Sequence, residues 1–155
     1  MATTLSDISD LFMTKISDYR LVAIYQTSGS MALNEYVEPW LMESIIDFNI
    51  CIPPLVYTPT SGSVEGYFDS SLNFENKFIL AEFMTLHWMQ KAIQDILQIN
   101  NNITDHDFKM FSQAQNLKAK QDYFNVKREQ ISQRLTDYEY KYNDWANWKN
   151  QAWIV

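Results

Sequence analysis

The stretch from Leu72 to Tyr140 constrains this chain most, because it reads as two long amphipathic helices around the short polar turn Asn100-Asn101-Asn102-Ile103. In the first, Phe78, Ile79, Phe83, Leu86, Met89, Ile93, Ile96 and Leu97 recur at three- and four-residue steps, the period of one helix face. That is a packing stripe, not a catalytic surface. In the second, Thr104-Asp105-His106-Asp107 supplies an N-cap hydroxyl and first-turn acids for the positive helix end. No Gly or Pro occurs from Thr104 to Tyr140, so an unbroken helix of about thirty residues is expected. The pattern predicts an all-α fold, a small bundle of about four helices, two of them long and C-terminal, and excludes most enzyme folds.

Upstream, Leu5 to Tyr25 keeps a mostly helical period through Ile8, Leu11, Phe12, Ile16, Tyr19, Ala23 and Ile24, with Ser6 as a candidate N-cap. Ser17-Asp18 is a point where it can split, and Thr27-Ser28-Gly29-Ser30 is expected to stop it. A further helix is expected from Met31 or Ala32 to Phe48, with Leu33, Val37, Leu41, Ile45 and Phe48 inward. Pro39 falls inside it and predicts a kink near Tyr36 or a helix start at Glu38.

Residues 49–71 change character. Pro53, Pro54 and Pro59 lie here with Gly62 and Gly66, and two β-rich runs flank Ser61-Gly62-Ser63, which fits an extended arm or a small hairpin. Connections longer than about twelve residues in compact domains are usually functional or disordered. The apolar content argues for docking on a neighbour, so Pro53, Pro54, Val56, Tyr57, Val64, Tyr67 and Phe68 are candidate interface residues. The C-terminus is the second anomaly, with Tyr138, Tyr140, Tyr142, Trp145, Trp148 and Trp153 close together beside Ile154 and Val155. Such rings either fold back on their own helices or reach an adjacent subunit. The expected organisation is a helical domain over 1–141 and an aromatic tail over 142–155, with Tyr142, Trp145, Trp148, Trp153, Ile154 and Val155 as the tail interface.

Among 155 residues the net charge is −7, unevenly spread: residues 1–50 carry 2 basic and 7 acidic side chains, 51–100 carry 2 and 5, and 101–155 carry 8 and 7. An acidic chain repels phosphate, so tight DNA binding is disfavoured. Lys118, Lys120, Lys127, Arg128 and Arg134 are interleaved with Asp122 and Glu129, as on a solvated face or one half of a subunit interface. No apolar run is long enough for a transmembrane helix, and no secretory leader is recognisable. The single Cys51 reads as a buried small apolar side chain, not a nucleophile. His87 sits in an apolar run, and His106 lies on a different predicted helix. The acids Glu35, Glu38, Glu43 and Asp47 group on one solvated side, without the Glu-x-x-His pair of a di-metal site. No catalytic motif, cofactor loop or metal-ligand spacing is present, so no enzyme activity and no cofactor is expected.

The run Asn73 to Met84, Trp88, and the run Ile103 to Leu117 together resemble the head-tail connector (adaptor) proteins of tailed bacteriophages. In that family a helix with an ILA-x-x-M and Trp core, here Ile79-Leu80-Ala81, Met84 and Trp88, leads through a turn into an F-x-x-x-S-x-A-x-x-L helix, here Phe108, Ser112, Ala114 and Leu117. Leu33 to Phe48, ending in Asp47-Phe48 before an irregular stretch, fits the same layout. The resemblance covers about two thirds of the chain and rests mostly on packing residues.

It implies a virion structural protein, assembled in the host cytoplasm, that forms a ring, commonly twelve-fold, between the portal and a tail-side neck or tail-terminator protein. DNA would pass through its lumen without specific binding. The tail from Tyr142 to Val155 departs from the minimal family pattern. The alternatives are a cytoplasmic helical adaptor or regulator that binds a partner through the aromatic tail without a ring, and an enzyme built from scattered residues around His87, Cys51 and the acidic helix.

Overall fold

The computed structural model describes residues 2–16, 18–102 and 107–142. Four helices dominate: α1 (Leu5–Met13), α2 (Tyr19–Asp47), α3 (Phe74–Asn102) and α4 (Asp107–Tyr142). Three two-residue strands, β1 (Thr3–Thr4), β2 (Tyr57–Thr58) and β3 (Tyr67–Phe68), form a small sheet in the order β1-β3-β2. The all-α bundle expected from the hydrophobic period is thus the fold.

Helix α1 starts at Thr4 and not Ser6: the Thr4 hydroxyl accepts from the Asp7 amide while the Asp7 carboxylate accepts from the Thr4 amide, a reciprocal cap. Its buried positions Leu5, Ile8, Ser9 and Phe12 form one stripe. The split at Ser17-Asp18 is realised, since Asp18 caps α2 by accepting from the Arg20 amide at 2.8 Å. The break shifts the helical phase downstream: Leu21 is buried, whereas Tyr19, expected inward, is 90% exposed.

Gly29 breaks α2 as expected. Its φ of 83° and ψ of −179° belong to a region that only glycine occupies cheaply, so two helical segments meet there at a kink. The helix does not begin at Glu38: Pro39 lies inside α2, and Gly29 is where the backbone leaves helical φ/ψ. Leu33, Val37, Trp40 and Leu41 are buried on the inward face around the proline, and this packing holds the helix through it.

Helix α3 is the centre of the molecule, packed by α1, α2 and α4. Asn73 caps it through a 2.8 Å bond from the Asn76 amide. The sequence predicts one apolar face, but Ile79, Leu80, Ala81, Phe83, Met84, Thr85 and Leu86 are all buried, which surrounds the helix on every side. It also continues through Asn100, Asn101 and Asn102, where the sequence predicts a turn. Thr104, Asp105 and His106 lie outside the described residues. On α4, Phe124, Ile131 and Tyr138 recur every seven residues, joined by Leu135 and Tyr142, and make a narrow seam against the bundle. No helix among the described residues is long and apolar enough to cross a membrane.

Candidate functional site

The proline-bearing connection is an ordered arm, with the hairpin that its sequence suggested. Strand β2 pairs antiparallel with β3, Tyr57 opposite Phe68 and Thr58 opposite Tyr67. Beyond them Ser61 and Val64 exchange two 3.0 Å backbone bonds around the tip. The sheet's third strand was not expected: Thr3 lies opposite Phe68 and Thr4 opposite Tyr67, and the Leu5 amide donates to the Gly66 carbonyl at 2.8 Å. A two-residue strand carries no readable period, so β1 left no signal.

Three polar anchors fix the arm to the bundle. Glu38 of α2 accepts from the Tyr57 hydroxyl at 2.7 Å and the Thr60 amide at 2.8 Å. Burial and this carboxylate both push the Tyr57 phenol up, so it stays a donor. The second anchor joins three elements: Glu65 accepts from the backbone and hydroxyl of Ser6, and from the Asn34 side chain at 3.1 Å. The third is at the foot, where the Tyr138 hydroxyl accepts from the Ile52 amide at 2.9 Å and donates to its carbonyl at 3.2 Å. Asn76 donates to the same carbonyl at 3.1 Å. Glu38 and Glu65 are therefore structural, and the expectation that Glu38 belongs to a solvated acidic side is corrected.

The candidate interface residues divide accordingly. Pro53 and Pro54 are exposed, and Val56 and Val64 are 54% and 60% exposed. Tyr57 and Tyr67 are half-buried in the hairpin. Phe68 is fully buried, tilted against Tyr57 with ring centroids 4.9 Å apart, so it belongs to the core and offers nothing to a partner in this conformation. Tyr142 closes α4: its ring packs on Tyr138 at 4.4 Å and its hydroxyl donates to Glu75 at 3.0 Å. It belongs with the helical body, not with a separate tail. Trp145, Trp148, Trp153, Ile154 and Val155 lie outside the described residues.

The structure thus brings the foot of the arm and the end of α4 side by side, through Tyr138. Nearby, the Lys141 ammonium donates to Glu75 at 2.6 Å and, first among several causes, holds its carboxyl below the usual value of 4.5. A lowered folded-state value stabilises above the unfolded one and is lost as pH falls through the folded one. Lys141→Met is therefore expected to lower thermal melting slightly at neutral pH and to leave it unchanged in acid, where Glu75 is protonated in both proteins, so that the acid sensitivity of melting below about pH 5 is reduced.

Two further reactive side chains, Cys51 and His87, lie against neighbouring polar groups. Burial pushes the Cys51 thiol up to about 11, and its sulfur lies 4.0 Å from the Tyr138 hydroxyl, which suits a small apolar filler. His87 reaches from α3 to α2, with Nδ1 3.2 Å from Glu43 and Nε2 3.0 Å from Asp47. Among the described residues no group of three or more His, Cys, Asp or Glu side chains is placed to hold a metal ion. Sequence reading missed one exposed surface, Tyr19, Val22 and Tyr25 on the first segment of α2. Their three-residue spacing was visible but indistinguishable from a buried stripe. The chain matches no protein-family model, no curated protein and no solved structure.

Proposed function

We propose that this chain is a structural subunit of a ring at the head-tail junction of a tailed bacteriophage particle, joining the portal to a tail-side neck or tail-terminator protein around the DNA channel. The observation that carries the reading is the arm. It is anchored at Glu38, Glu65 and Tyr138 yet presents Pro53, Pro54, Val56 and Val64 outward. A segment held so firmly, with apolar side chains left in water, suits rigid docking on a neighbour, since little ordering entropy remains to be lost.

A closed ring of identical subunits requires two different complementary surfaces on each copy. The arm supplies one candidate, and the exposed Tyr19, Val22 and Tyr25 of α2 supply another. The charge of −7 supports passage of DNA without adhesion, because like charges deny the counterion-release gain that holds a duplex. The resemblance of Asn73 to Leu117 to connector proteins agrees with the same reading.

Native mass spectrometry of the protein, alone and mixed with its portal protein, tests it. A closed multimer or a stoichiometric portal complex is expected, and a persistent monomer that ignores the portal would favour an adaptor without a ring. Val56→Ser/Val64→Ser is expected to shift stability by no more than about 0.5 kcal/mol per site, as exposed positions do, while weakening assembly at least tenfold. Unchanged assembly would remove the arm from the interface.

A further inference from the structure

A cavity of about 250 Å³ lies between Lys15 and Ile16, just beyond α1, the middle of α3, and α4. Its wall is apolar, with Leu86, Met89 and Ile131 buried and Ile16, Trp88 and Ile93 completing it. The Trp88 ring is held in place by a 3.1 Å bond from its Nε1 to Asp18, the capping residue of α2. Preformed apolar space walled by fixed side chains is the usual setting of a small-molecule site.

Its polar groups are unbalanced in sign. Lys15, Lys120 and Lys127 line the cavity, with Glu82 as their carboxylate. Glu82 is already engaged on both sides, 3.6 Å from Lys15 and 2.7 Å from Arg134. Among the described residues Lys120 and Lys127 form no ion pair, and the Lys127 ammonium lies 5.9 Å from the Tyr123 ring centroid. Burial lowers the pKa of Lys15; Glu82 opposes the shift, while Lys127 and Arg134 add to it. In a chain of charge −7 such a local excess of cations beside apolar space fits a ligand with an anionic head and an apolar body.

We propose that this cavity binds a small amphipathic carboxylate of the medium-chain fatty-acid class, its chain among Leu86, Met89 and Ile131 and its head on Lys120 and Lys127. Size sets the length: an apolar cavity of about 150 Å³ accepts benzene, so about 250 Å³ accepts a body of about ten non-hydrogen atoms, the size of octanoate. The inference is independent of the ring reading, because it concerns a site remote from the arm.

Isothermal titration calorimetry of the full chain with octanoate tests it, with 1-octanol and sodium acetate as the head-free and chain-free probes. Saturable binding of octanoate at one site is expected, with 1-octanol and acetate each at least tenfold weaker. Lys120→Met/Lys127→Met keeps the apolar stems and should weaken octanoate at least tenfold while leaving 1-octanol unchanged. Ala92→Phe, which fills the cavity, should abolish binding of both, with the helical circular dichroism retained as the check on folding. No binding of octanoate to the wild-type chain overturns the proposal, as does equal binding of 1-octanol or an octanoate affinity unchanged in the double-lysine variant.

Discussion

Replacing Tyr138 with alanine is expected to lower the unfolding free energy by about 3–5 kcal/mol, the cost of deleting a large buried ring. Tyr138 is only 2% exposed, meets Phe48 edge-on with centroids 5.1 Å apart, and packs against Tyr142. Its hydroxyl also holds both backbone groups of Ile52, so the variant frees the foot of the arm as well as opening a void. Tyr138→Phe separates the two effects. It keeps the ring and should cost about 1 kcal/mol for the lost hydrogen bonds, while amide exchange speeds up at Ile52. Denaturant unfolding of both variants, read together with exchange, checks this. Burial pushes the Tyr138 phenol up to about 12, so the stabilisation is full below the ordinary value of 10.0 and is lost as pH rises towards 12. An alkaline titration that ionises Tyr138 at its ordinary value of 10.0 without unfolding would count against the packing described.

Gly66→Ala is the second large effect, expected to destabilise by about 3 kcal/mol through overpacking and a broken charge-assisted hydrogen bond. A Cβ at this position would stand 2.0 Å from the Tyr57 hydroxyl oxygen, 2.8 Å from its ring carbon Cζ and 2.9 Å from Glu38 Oε1. The new methyl must displace the bond that anchors β2 to α2. Since the clash is with Tyr57, the combination Gly66→Ala/Tyr57→Leu should be less unstable than the sum of its two single changes. A strictly additive double variant, measured by urea unfolding, would place the strain elsewhere.

How much of this was legible before the structure depends on whether a feature repeats. The helices were readable because Ile79, Phe83 and Leu86, or Leu33, Val37 and Leu41, recur at a helical period, and because Gly29 and Asp18 are residue types that end or begin helices. Side was harder to read than element: Tyr19 and Tyr25 have the spacing of core positions, and only the break at Asp18 turns them outward. The hairpin was visible in its turn residues. Its anchors were not, because Glu38 to Thr60 and Glu65 to Asn34 join residues far apart in the chain, and no local pattern announces such pairs. The cavity is likewise a product of assembly: Lys15, Lys120 and Lys127 come from opposite ends of the sequence and meet only across α3. Phe68 shows the converse error, an apolar loop residue read as a docking group that the fold uses inside.

The little sheet also orders events in time. Thr3 accepts from the Leu72 amide, 69 positions along, and α1, with its buried stripe of Leu5, Ile8 and Phe12, packs more on α3 than on α2. During synthesis the first helix therefore waits for its partner to leave the ribosome, several seconds at about 5–20 residues per second. Throughout that delay an apolar stripe stands uncovered. A nascent chain arrested before residue 89 should consequently be protease-sensitive at its beginning and dependent on chaperones, and should become protected once α3 has emerged.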